Sequence, residues 1–220
     1  MKKINMPPKE TVIKHSTLLV AYLLVVWGFY RFLVRLPEEI EEVIIKPILW
    51  LGPVAYFVKK EKLGVGSLGI TTKNLFPSLF WAIGLGAIFT LEGVVINAIK
   101  YDTINFNANV GQTAMLIAFG ISLFTATSEE ITFRGYFYNR MAWVLKNDFV
   151  ANLFTSFIWG LIHLPISIFW LELSFWGCVG YFLLTFVFGM GAAFIFSRTR
   201  NIFSSILLHS MWSWPIILFR

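Results

Sequence analysis

The sequence predicts an all-α, polytopic membrane helix bundle of about seven transmembrane helices, and three observations predict it. The 220 residues are 57% hydrophobic and only 14% charged, with a mean hydropathy of +0.72, where soluble domains hold about 45 to 50% apolar residues. The apolar residues gather in runs of about 20, the length a helix needs to cross a bilayer. The basic residues fall between those runs, and with the N-terminus inside, Lys2, Lys3, Lys9, Lys14, Lys59, Lys60, Lys62, Lys73, Arg134, Arg140, Lys146, Arg198 and Arg200 share the cytoplasmic side. Topology therefore accounts for the net charge of +6, and nucleic acid is not an expected partner.

Residues 1–15 read as a polar cytoplasmic segment, in which Pro7 and Pro8 oppose an early helix. A single membrane-embedded domain at 16–220 follows. Its first run, Ser16 to Leu36, is long enough to span and too long for the apolar core of a cleaved leader, so it reads as a retained anchor. An acidic loop from Pro37 to Glu42 leads to a shorter second run, Val43 to Val58. Arg31, Arg35 and Lys46, near the ends of these runs, are expected to snorkel to the interface beside the glutamates. Lys59 to Asn74 is a basic, glycine-containing loop. The third run is Phe76 to Ile99, and a polar link from Lys100 to Gly111 precedes the fourth, which starts at Thr113. The stretch 135–146 is aromatic and basic, as expected of an amphipathic helix on the membrane surface. The fifth run, Phe149 to Leu171, is interrupted by Pro165, with Asp148 its expected N-cap. The sixth is Leu173 to Phe196 and the seventh Ile202 to Phe219, which puts the C-terminus outside. The single cysteine, Cys178, can form neither an internal disulfide nor a cysteine-based zinc site.

The fourth run ends in Ser128-Glu129-Glu130-Ile131-Thr132-Phe133-Arg134. A charge near the middle of a bilayer helix costs at least about 2.5 to 3.5 kcal/mol, so ionisable residues there signal function. Glu130 and Arg134 stand four apart on one helix face and can pair. Glu129 lies well round from Arg134, at about 100° per residue, and is expected to be the free carboxylate that takes a proton from water. His163 and His209 sit in the fifth and seventh runs, where a neutral imidazole needs polar partners. Gly160, just before His163, permits close helix approach. Ser205, His209 and Ser213 recur every four residues, a polar stripe that should face the bundle interior or a wet cavity. Glu92 is a further acid in an apolar run, while His15 and Glu172 read as solvated.

Glu129-Glu130 with Arg134, then Trp159 ahead of His163, then His209 with the polar Ser213 four residues on, resemble the three motifs of the CPBP intramembrane proteases. This is the family of type II CAAX prenyl endopeptidases and bacteriocin-processing or immunity proteins, also called Abi. The likeness covers about residues 113–214, and the first 110 residues add only topology. It implies an intramembrane endopeptidase that cuts near the end of a lipidated or membrane-bound protein or peptide, in the plasma membrane of a prokaryote. On this likeness Glu129 activates water with His163, Glu130 and Arg134 hold the site in shape, and His209 helps bind the oxyanion. The family's last position is usually asparagine and here is Ser213. Losing one oxyanion donor typically costs about 10² to 10³ in rate. Hydrolysis without a metal is the expectation; zinc is the alternative, with Glu129, His163 and His209 as its ligands. Two rival functions stay open: a silent member acting as an immunity or scaffold protein, and a small proton-coupled transporter using Glu92 and Glu129. Counting about 1.5 Å per residue, Glu129, His163 and His209 start at different depths. They can converge only if the fifth helix begins outside the hydrocarbon and the fourth runs on past Arg134.

Overall fold

A computed structural model describes residues 6–102 and 115–218. Lys2, Lys3, most of the polar link after Lys100, Thr113, Phe219 and Arg220 lie outside the described residues. Every regular element among the described residues is helical. Helix α1 is Lys9–Leu33; α2, Lys46–Lys60; α3, Leu75–Tyr101; and α4, Met115–Glu130. Then come α5, Asn139–Leu145; α6, Asp148–Ile162; α7, Phe175–Thr199; and α8, Ile202–Leu218.

Four helices, not about seven, are long and apolar enough to cross a membrane among the described residues: Lys9–Leu33, Leu75–Ile96, Asp148–Trp170 and Phe175–Thr199. The other three apolar runs are not among these four. The second is a 15-residue helix with Pro53 inside it, entered through a π turn that carries Glu41 and Glu42. The fourth, described from Met115, carries Glu129 and Glu130 at the end of its α-helical part, and the seventh is described as far as Leu218. The surface helix expected at 135–146 is also corrected. Residues 131–145 continue α4 through the π turn Ile131–Tyr138 into α5, and Thr132 to Tyr138, Arg140, Met141 and Val144 are buried. An aromatic face reaches the core as well as the surface, and here Trp50, Phe133 and Trp159 meet edge to face or tilted.

Helix α8 packs against α3 and α4, and α6 against α7. Gly160 makes the second contact possible, since a Cβ there would lie 2.7 Å from the Phe182 ring. At one end of the bundle the loop before α3 is tied to the turn between α7 and α8. Asn201 Nδ2 donates to the Thr71 and Lys73 carbonyls at 3.0 and 2.6 Å, and Asn74 Nδ2 to the Thr199 carbonyl at 2.9 Å. Gly69, in the left-handed region at φ +74, brings its carbonyl to the Ile202 N–H at 2.9 Å, and a side chain there would strike Phe196. Arg200 pairs with Asp148 at 2.8 Å. Segments bearing Lys73, Lys146, Arg198 and Arg200 thus meet at one end.

Candidate active site

Glu129 and Glu130, on the last turn of α4, are 4% and 0% exposed. Because the helix does not stop there, Glu129 lies about 24 Å from the far end of α5 at 1.5 Å per residue. Helix α6 starts at Asp148, capped by Asn147, whose side chain accepts from the Phe149 and Val150 N–H groups. The N-cap is therefore Asn147, one residue before the expected Asp148, which instead pairs with Arg200. Fifteen residues on, His163 lies about 22 Å along that helix, with its Nε2 3.7 Å from Glu129 Oε2. The continued fourth helix and the early start of the next bring both residues together.

Arg134 Nη1 donates to Glu130 Oε1 at 3.0 Å and Nη2 to the Gly189 carbonyl at 3.1 Å. Its guanidinium lies 4.5 Å from the Trp159 ring centre, a cation–π contact. Gly189 packs tightly here, since a Cβ would sit 3.2 Å from both Arg134 Nη2 and Trp159.

The helix passes through Pro165, which has no N–H to give to the preceding turn, and one turn earlier the His163 N–H donates to the Gly160 carbonyl at 3.1 Å. The Trp159 carbonyl is left for the imidazole, whose Nδ1 approaches to 2.8 Å. A carbonyl only accepts, so Nδ1 carries the proton and Nε2 turns towards Glu129 Oε2, 3.7 Å away. His209 repeats the arrangement with its Nδ1 at 2.8 Å from Glu130 Oε1 and its Nε2 at 4.0 Å from Glu129 Oε2. Both Nε2 separations are too long for direct hydrogen bonds, and Glu129 Oε2 has no protein partner among the described residues.

Glu129 is not the free carboxylate expected, because Lys46 Nζ donates to its Oε1 at 2.8 Å. Neither Lys46 nor Arg31 snorkels; their side chains are each 4% exposed. Arg31 pairs with Glu41 and Glu42, and Lys46 pairs with Glu42 as well as Glu129. Thr125 Oγ1 donates to Glu42 at 2.7 Å. Reading the sequence missed this array, although Glu42 and Lys46 carry the same four-residue spacing that drew attention to Glu130 and Arg134. Arg35 behaves differently: it is 62% exposed and 3.3 Å from the exposed Glu172.

Of the polar stripe on α8, His209 alone hydrogen-bonds the charged cluster among the described contacts. Ser205 donates to the Ala192 carbonyl at 3.1 Å. Ser213 Oγ lies 3.0 Å from both Ser122 Oγ and the His209 carbonyl. Glu92 hydrogen-bonds Trp212.

Glu129, His163 and His209, the ligands a zinc ion would take, do not fit one as placed. Zinc with bonds of 2.0 to 2.1 Å holds its ligand atoms roughly 3.4 Å apart, closer than the 3.7 and 4.0 Å here. The Lys46 ammonium already pairs with the carboxylate.

No curated protein and no solved structure matches the chain. Residues 111–215, the stretch that carries Glu129, Glu130, Arg134, His163 and His209 and leaves out Arg31 and Lys46, match the family model of the Type II CAAX prenyl endopeptidase Rce1-like proteins.

Proposed function

We propose that the chain is an intramembrane endopeptidase that hydrolyses a peptide bond near the end of a lipidated or membrane-bound protein or peptide. The observation that carries this reading is the unpartnered Glu129 Oε2 facing two imidazole Nε2 atoms, and the family match over 111–215 supports it. Acceptors that converge on one space repel unless a donor lies between them, and one water can satisfy a site with two to four polar partners. That water donates to Glu129 Oε2 and His163 Nε2 and accepts from His209.

Charge counting supports the last assignment. Arg31, Lys46 and Arg134 face Glu41, Glu42, Glu129 and Glu130, one more carboxylate than cation. A proton on His209 Nε2 balances the cluster and supplies a donor, with Nδ1 held by Glu130. In the reaction a water O–H bond breaks, its oxygen joins the scissile carbonyl carbon, and its proton goes to the Glu129–His163 pair. The carbonyl oxygen takes up the negative charge beside His209 Nε2. When the C–N bond breaks, the same proton passes to the leaving amine nitrogen. The step needs no metal in this arrangement, so chelators should leave the rate unchanged. We assign the end bearing Lys73, Lys146, Arg198 and Arg200 to the cytoplasm, in keeping with the positive-inside rule. The test is cleavage of a lipidated peptide by the purified protein in vesicles, read by mass spectrometry. Wild type should cut it, and a wild type that leaves every lipidated or membrane peptide intact overturns the reading.

Ser213 favours a second reading, a silent member that acts as an immunity or scaffold protein. Its hydroxyl hydrogen is engaged by Ser122 or the His209 carbonyl, which leaves one fewer donor for an oxyanion. An inactive wild type that stays inactive as Ser213→Asn, while retaining a protein partner, would support this second role.

A further inference from the structure

The buried array Arg31–Glu41–Glu42–Lys46 lies outside the matched segment, and the hydrolytic mechanism above uses it only in counting charge. It touches the site at one point, the 2.8 Å contact between Lys46 Nζ and Glu129 Oε1. Lys46 cannot swing away freely. It is also paired with Glu42, which is held by Arg31 and by Thr125 Oγ1 at 2.7 Å, and Arg31 is held in turn by Glu41. Glu41 accepts from the Tyr30 hydroxyl at 3.2 Å, and the Arg31 guanidinium lies 4.4 Å from the Trp27 ring centre. Such a chain fixes an ammonium in place, where a lone lysine on a flexible stem would sample many rotamers.

Of the two Glu129 oxygens, one is tied off by Lys46 and the other is turned to the imidazoles. An opposite charge at hydrogen-bond distance favours the charged form of a carboxylate. The group facing the same space with a lone pair and no competing cation at hydrogen-bond distance is His163 Nε2, its Nδ1 proton held by the Trp159 carbonyl.

We infer that Lys46 is a positioning residue of the site, anchored by Glu42 and Arg31, that holds Glu129 as an anion and thereby directs the proton of the reacting water to His163 Nε2. The assignment of that proton rests on the hydrolase reading; the hold on Glu129 does not. Water is split as described above, with Glu129 orienting it by accepting a hydrogen bond and remaining a carboxylate throughout. Residues 31–46 thus complete a site whose other groups come from 129–209.

The test compares Lys46→Met, Lys46→Gln and Lys46→Arg with wild type in one preparation, with two readouts. The first is the infrared carboxyl band of the protein in vesicles at neutral pH. Lys46→Met gains a protonated-carboxyl stretch that is missing from the Lys46→Met/Glu129→Gln double variant, and Lys46→Arg does not gain it. The second is cleavage kinetics: kcat falls by about 10² to 10³ in Lys46→Met and Lys46→Gln with KM little changed, as for removal of a charge that acts on the reacting groups. Lys46→Arg keeps most of the rate. Gln can still hydrogen-bond both carboxylates, so a purely structural role would be rescued by Gln, and that result overturns the inference. Absence of the new carboxyl band in both neutral variants overturns it equally, whether or not any variant cleaves peptide. The band gained by Lys46→Met, together with a wild type that cuts no peptide, keeps the hold on Glu129 and removes the hydrolase reading alone.

Discussion

The chain buries two clusters of charge, and they are finished differently. At the cluster around Glu61, each carboxylate oxygen is filled. Oε1 accepts from the Tyr136 hydroxyl at 2.6 Å and lies 3.3 Å from His15 Nδ1, and Oε2 takes Arg140 Nε and Nη2 at 3.1 and 2.8 Å. Arg140 spends its remaining donors on Ser67, and burial, then the Glu61 carboxylate, push the Tyr136 phenol up. At the cluster around Glu129 and Glu130, the Oε2 atom of each carboxylate lacks a protein partner among the described residues. Both clusters join helices distant in sequence, yet only the second has polar atoms to spare. A fully satisfied buried network rigidifies a fold, whereas an unfilled one is costly to keep and marks a place where something else is bound.

The comparison is broken most sharply by exchanging one histidine in each cluster. His163→Ala should lower peptide cleavage by about 10² to 10⁴, the usual share of a general base. His15→Ala, which removes a ring stacked on Phe57 at 4.9 Å, should leave the rate near wild type. Equal losses would mean that the two clusters serve one purpose. Stability should respond the other way round. Glu61→Ala strands the buried Arg140 and should cost about 3 to 5 kcal/mol of unfolding free energy, measured in detergent, with specific activity of the folded fraction kept. A smaller effect is expected from Ser213→Asn, which offers a carboxamide donor near His209 and should raise kcat by about tenfold to 10². Of comparable size is Tyr136→Phe, which removes one hydrogen bond to a charged group and should cost about 1.5 to 3 kcal/mol of stability without changing kcat.

Much of the second cluster was legible in the sequence. Ionisable residues in apolar runs stand out because lipid penalises them, and helical spacing pairs Glu130 with Arg134 before any coordinates are consulted. The convergence of Glu129, His163 and His209 was conditional on helix ends, and those ends hinge on local chemistry: a π turn after Glu130 and the Asn147 cap. The π turn is invisible to a 3.6-residue period, which is why 135–146 looked like a separate surface helix. Lys46 and Arg31 were misjudged because a long cationic side chain near the end of an apolar run satisfies the snorkelling rule equally well. Only the position of Glu42 and Glu129 in space decides that they stay inside. The span count failed for a related reason. Apolar runs that hold these charges fill a bundle without meeting the composition of a lipid-facing span.

The most direct test of the central claim, that Glu129 and the two imidazoles hold a water that cuts a peptide bond, is hydrolysis in H₂¹⁸O. A lipidated peptide is incubated with wild type and with Glu129→Gln, and the new carboxyl terminus is weighed by mass spectrometry. Wild type should yield a fragment carrying one ¹⁸O while Glu129→Gln, folded to the same extent, should yield none. Cleavage by Glu129→Gln at the wild-type rate, or an intact peptide with wild type, would contradict the account.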